Sequence, residues 1–97
     1  MASKPCCSIN LKHSSHILKT IADENRLRII CLLKSSEKCV CEIQEELSLS
    51  HNLILHHLKT MQTIQLLKKK KDGKHTYYSL NTDVYESTIQ DLFTLLK

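Results

Sequence analysis

At 97 residues, 41% of them hydrophobic, the chain holds enough apolar side chains for one small core and little more. Its single Gly and single Pro exclude a turn-rich architecture and favour helix; no apolar run approaches the ~20 residues of a transmembrane helix, and Met1 to Pro5 lack the apolar stretch of a secretory signal, so a cytoplasmic protein with no membrane partner is expected. The formal net charge of +4 is matched by one stretch of seven positions, where Lys68, Lys69, Lys70, Lys71 and Lys74 are offset only by Asp72; so local a patch marks a polyanion ligand or a solvated basic loop.

Residues 1–10 show no period and read as a flexible N-terminal arm; residues 11–97 read as one domain. Leu11, Ile17, Leu18 and Ile21 fit a first helix over Leu11–Ile21. Asp23 is a good N-cap for a second helix to Lys34, whose run Leu27 to Leu33 is apolar enough to be largely buried. A polar connection, Ser35 to Lys38, leads to a third helix over Cys39–Leu47 with Val40, Ile43 and Leu47 in register. Ser48-Leu49-Ser50 is a short turn, and Ser50 caps a fourth helix from His51 to Thr63, with Leu55, Leu58 and Met61 as its apolar positions. The period then changes: two extended segments, Leu66–Lys71 and Lys74–Leu80, flank Asp72-Gly73, a favoured hairpin dipeptide. Tyr77 and Tyr78 alternate on the second strand, so one is expected in the core and one on the surface. Asn81 or Thr82 caps a last helix rich in Leu, with Val84, Ile89 and Phe93.

The order α-α-α-α-β-β-α is mainly α with a small β-hairpin. Two short helices joined by a brief turn make a helix-turn-helix unit. Its second helix has the dimensions of a DNA major groove, and the basic hairpin follows as a wing able to reach phosphates. The expected fold is therefore a winged helix-turn-helix, and the expected partner is double-stranded DNA. Candidate DNA contacts are Ser50, His51, Asn52, His56, His57 and Lys59 on the second helix of the unit, and Lys69, Lys70, Lys71 and Lys74 on the wing. His56 and His57 are adjacent and must point to different faces, so they are a poor metal pair, and one of them is expected to pack while the other touches phosphate. The small core and the two amphipathic terminal helices imply a homodimer. No nucleophile motif or glycine-rich pocket turn argues for an enzyme.

The stretch Asp23–Leu80 resembles the ArsR/SmtB family of metal(loid)-responsive winged helix-turn-helix repressors. Asp23-Glu24-Asn25-Arg26-Leu27-Arg28-Ile29 is similar to the opening of that family's second helix, and Cys39-Val40-Cys41-Glu42-Ile43 to its Cys-Val-Cys-Asp-Leu metal motif. Leu49-Ser50 through His56-His57-Leu58-Lys59 is similar to its recognition helix, and Asp72-Gly73-Lys74 with Tyr77-Tyr78-Ser79-Leu80 to its wing. Two positions depart from the pattern: Leu55 stands where a small polar residue is usual, and Gln65 where Gly often precedes the first wing strand. Leu53-Ile54-Leu55 makes the recognition helix unusually apolar where side chains would meet base edges.

The resemblance implies a repressor released when a thiophilic ion, Cd(II), Pb(II) or As(III) with Zn(II) possible, binds cysteine thiolates as effector. The five cysteines are Cys6, Cys7, Cys31, Cys39 and Cys41; in a reducing compartment they are free thiols, ligands or redox groups. Cys39 and Cys41 are the first ligand pair. Within a regular helix they would stand about 200° apart and could share an ion only by distorting the first turn. Cys6 and Cys7 are the additional donors, supplied in relatives by the opposite subunit, and His13, His16 and Glu42 are lesser candidates. Cys31, inside the apolar run of the second helix, is expected to pack in the core. The last helix has neither Cys nor His, so the redox pair that some relatives complete there is unavailable, and the Zn/Ni site that relatives build there is absent or crippled. The alternative to a metal is a thiol-redox switch in which Cys6, Cys7, Cys39 and Cys41 form reversible disulfides.

Overall fold

A computed structural model describes residues 10–96; residues 1–9, with Cys6 and Cys7 among them, and Lys97 lie outside the described residues. Five helices and three strands occur among them: α1 (Leu11–Ile21), α2 (Glu24–Ser35), β1 (Lys38–Cys39), α3 (Val40–Leu47), α4 (His51–Thr63), β2 (Leu67–Asp72), β3 (His75–Leu80) and α5 (Thr82–Leu96). No helix among the described residues is long and apolar enough to cross a membrane.

Short polar side chains start the helices. Asn10 Oδ1 accepts from the His13 N–H (3.1 Å), Asp23 Oδ1 from the Arg26 N–H (3.1 Å) and Ser50 Oγ from the Leu53 N–H (3.2 Å). Each such cap is worth about 1 kcal/mol. Ser48 ends α3 in the left-handed region (φ 55°), its N–H bonded to the Gln44 carbonyl, and this sharp stop makes the short turn to α4. Gln65, after α4, is also left-handed (φ 63°). It occupies the position where Gly is frequent in similar proteins, and its carbonyl accepts from Asn81 Nδ2 (3.0 Å), tying the end of α4 to the start of α5.

The sheet runs in the order β1-β3-β2, antiparallel throughout. β1 is an addition to the hairpin expected from sequence: Lys38 pairs with Tyr78 and Cys39 with Tyr77. Cys39 therefore belongs to the sheet and caps α3, and it does not open the helix from within. In the hairpin Asp72 pairs with His75, so the loop residues are Gly73 and Lys74, one position later than Asp72-Gly73. Gly73 alone of the two has positive φ (64°), at the first loop position where a type II′ turn requires Gly.

The core joins Ile17 of α1, Ile29, Ile30 and Leu33 of α2, Ile43 and Leu47 of α3, Ile54, Leu58 and Met61 of α4, and Leu66, Leu67 and Tyr78 beneath the wing. Tyr78 is the inward member of the tyrosine pair and Tyr77 is half-buried. Two expectations fail here, the core place of Cys31 and the largely buried run Leu27 to Leu33. Cys31 is exposed: the buried face of α2 is centred on Ile29, Ile30 and Leu33, and Cys31 stands about 200° from Ile29 around the axis. Leu27, one turn before Cys31, is exposed with it, at 49%. α5 buries no residue completely, although Val84 and Tyr85 pack against the core.

Candidate nucleic-acid interface

The burial of Ile54, His57, Leu58 and Met61 fixes the phase of α4. The opposite face then carries Asn52, His56, Lys59 and Thr63, all exposed. His51 and Leu55 border this stripe on one side and Leu53 on the other. Ser50 is committed to capping; its hydroxyl still carries a proton that can be donated outward. The fold thus presents one polar and basic helix face bounded by the wing.

Lys68, Lys69, Lys70 and Lys71 are all exposed along β2, but strand alternation divides them. Lys69 shares a face with its partner Tyr78, and Lys71 with Thr76; Lys68 and Lys70 share the other face with Ser79 and Tyr77. Lys69, Lys74, His75, Thr76 and Tyr78 line a groove of about 400 Å³ whose opposite wall is His51, Leu55 and Lys59 of α4. Lys69 and Lys71 are therefore on the side of the wing that looks toward the recognition helix, and Lys70 is turned away from it.

The floor of the same groove is Cys39, Val40 and Cys41. Cys39 is buried and Cys41 exposed. Because Cys39 is extended (φ −85°, ψ 166°) and precedes the first helical turn, the opposed orientation expected of two cysteines within a helix does not apply. The Cys39 N–H donates to Glu42 Oε1 (3.0 Å), the backward arm of a capping box. That N–H, and then the Cys39 thiol, hold the Glu42 carboxyl below its ordinary value. Among the described residues no three His, Cys, Asp or Glu side chains form a ready metal cluster. His51 and His75 border the groove, and His75 is a neighbour that sequence spacing did not suggest. His13 and His16, on α1, open instead onto cavities beside α5 and the end of α4.

His57 is corrected from a DNA contact to an interior residue, 5% exposed. Its Nδ1 accepts from Arg26 Nε (3.0 Å), and Arg26 Nη1 donates to the Thr20 carbonyl (2.8 Å), so one guanidinium fastens α1, α2 and α4 together. Nδ1 as acceptor puts the neutral ring's proton on Nε2, which is buried without a hydrogen-bond partner. Burial, then the nearby Arg26 and His56 charges, push the imidazole pKa down against the opposing pull of Asp23. Sequence reading missed Arg26; its signal was the spacing of Arg26 from the cap Asp23, whose side chain fixes that first turn.

The geometry can be set beside known proteins. The model of the family described as bacterial regulatory protein, arsR family, matches residues 23–69. The arsenical resistance operon repressor of Staphylococcus aureus is 34% identical over 84 residues, 87% of this chain and 81% of that protein. A cadmium resistance transcriptional regulatory protein CadC homolog of Staphylococcus aureus is 27% identical over 93 residues, 95% of this chain and 77% of that protein. Among solved structures, HlyU from Vibrio cholerae matches with a TM-score of 0.77 at 28% identity, over 92% of this chain and 97% of that one.

Proposed function

The chain belongs to the ArsR family of bacterial DNA-binding transcriptional regulators, and on that premise we propose that it is a cytoplasmic, homodimeric repressor that leaves its operator when a thiophilic ion binds Cys39 and Cys41. Its relatives are regulators of transcription and not enzymes.

One observation carries this reading. Cys39 and Cys41 share a groove with His51 and Lys59 of the recognition helix and with Lys69 of the wing. Cys39 also pairs with β3 and caps α3, so any force on its sulfur acts on the wing and on the helix-turn-helix together. Two thiols are too few for a closed site, and Cys6 and Cys7 are the proposed further donors. Thiolates select soft ions, which fits Cd(II), Pb(II), As(III) or Zn(II) as effector. The names of the arsenical and cadmium relatives support the first and third of these. By linkage the ion must bind the DNA-free form more tightly, and DNA must weaken ion binding by the same factor.

Operator release titrated with Cd(II), Pb(II), Zn(II) and As(III) tests it. Cys39→Ser and Cys41→Ser are expected to keep operator affinity, because Ser caps or joins a helix about as well as Cys, and to lose release by the effective ion. Wild-type release should appear with thiolate-to-metal absorption. Release of the Cys39→Ser variant at the wild-type ion concentration would place the sensing site elsewhere, and release by oxidant without any ion would favour a disulfide switch.

A further inference from the structure

The three consecutive apolar residues at the front of α4 have different fates. Ile54 is fully buried and belongs to the core. Leu55 is half-buried beside the wing groove. Leu53 is 37% exposed, and it is the one large exposed apolar side chain among the described residues that does not belong to α1, α2 or α5. It is next in sequence to Asn52 and borders the outward face on the side away from the wing groove, and its own N–H is held by the Ser50 cap, so the turn that carries both is fixed.

We propose that Leu53 is a specificity-determining residue that covers the 5-methyl group of thymine, with Asn52 beside it reading adenine, so that the operator carries T·A pairs beneath the first turn of α4. The inference rests on the DNA-binding reading above and adds to it what sequence is read. Side chains of the first turn of a recognition helix are the ones that meet base edges. Of the groups displayed in the major groove, the thymine methyl is the apolar one. A leucine can neither donate nor accept, so it gains from that methyl by removing both from water. Opposite the cytosine amine or guanine oxygen, it would instead strip water from a polar edge and return no hydrogen bond, which is a penalty. Asn52 supplies the complement, since its amide presents the donor and acceptor that adenine N6 and N7 require. The flanking basic wing, with Lys69 on the side facing α4, supplies the phosphate attraction that any such approach needs but carries no base information.

The test needs no known operator. Duplexes are selected from a randomised DNA pool by the wild-type protein, and the recovered sequence is remade with deoxyuridine in place of thymidine, which removes the methyl groups alone. Dissociation constants are compared at one salt concentration. The expected result is a loss of about fourfold for each methyl covered for the wild type, and equal affinity of Leu53→Ala for the two duplexes. A merely structural defect in the variant would weaken both duplexes alike and preserve their ratio, which would overturn the proposal. So would a wild type that binds the thymine and uracil duplexes equally. Failure of the wild type to enrich any duplex would overturn the DNA-binding reading itself, whereas binding without methyl dependence overturns only the assignment of Leu53.

Discussion

At the scale of single residues, the Arg26 guanidinium joins three helices through two hydrogen bonds, and the one to His57 requires a neutral imidazole. Protonation at Nδ1 would set an N–H against the Arg26 guanidinium in place of the 3.0 Å bond. The fold therefore depresses the His57 pKa below its ordinary 6.5, with burial the main cause. The sign follows from linkage: below pH 6.5 the unfolded chain takes up a proton there that the folded chain resists, so the unfolded state is favoured. Urea midpoints should fall as pH drops through about 6.5 in the wild type. His57→Asn, whose amide oxygen can still accept from Arg26, should be less stable at pH 7.5 and lose less on acidification. An equal loss in both proteins would mean that another group dominates. The inward place of His57 was within reach of the sequence, since Ile54, Leu58 and Met61 define a stripe that includes it. Taking Leu55 in place of Ile54 as an apolar position shifted the phase, because Leu53-Ile54-Leu55 offers three choices and only packing selects among them. Cys31 failed for a related reason: an apolar run on a helix tells that the helix is buried somewhere, and not which of its residues is turned outward.

At the scale of elements, the helices and hairpin were legible because their signals are local. Asp23 and Ser50 are caps with one hydrogen bond each, and the helix-turn-helix and wing follow in their expected order; Asn10, placed by sequence in the flexible arm, caps α1 instead. β1 was not legible, because two residues cannot display a period and their strand character comes from pairing with Tyr77 and Tyr78 far along the chain. The four successive lysines of β2 were visible as a charge run, but their division between faces exists only once the register is known. That division makes a prediction. Each phosphate neutralised contributes about −0.9 to the slope of log affinity against log salt. Replacing Lys69 and Lys71 together with Ala should flatten the slope by up to about 1.8 per subunit, measured by titration of duplex DNA at several salt concentrations. Replacing Lys68 and Lys70, on the other face, should flatten it less. Equal effects would mean that the wing acts as an undirected cloud of charge.

At the scale of the whole molecule, the terminal helices of the folded monomer expose large apolar side chains. Ile89, Phe93 and Leu96 of α5 are 46%, 69% and 83% exposed, and Leu11 of α1 is 50% exposed. Ile89, Leu92, Phe93 and Leu96 together line a cavity of about 380 Å³. A contiguous apolar patch of this kind on a small protein marks an interface. The occupant proposed here is a second copy, because a two-fold axis would bury the same face on both chains and present two recognition helices to DNA. Operator recognition requires them about 34–36 Å apart, to enter the major groove on one side of the duplex at successive turns. Full burial of one Leu or Ile is worth about 1.5–3 kcal/mol, so a charge placed in the centre of the patch removes that gain and adds a buried ion. Ile89→Glu with Leu96→Glu should sediment as a monomer at micromolar concentration in reducing buffer, where the wild type is expected to sediment as a dimer. The same variant should keep its helical content, since neither residue belongs to the core. Its operator affinity should fall by orders of magnitude, because each helix-turn-helix would then bind a half-site alone and lose the effective concentration that its partner provides. A wild type that sediments as a monomer would remove the dimer, and with it any donor from a second N-terminal arm to the Cys39–Cys41 pair.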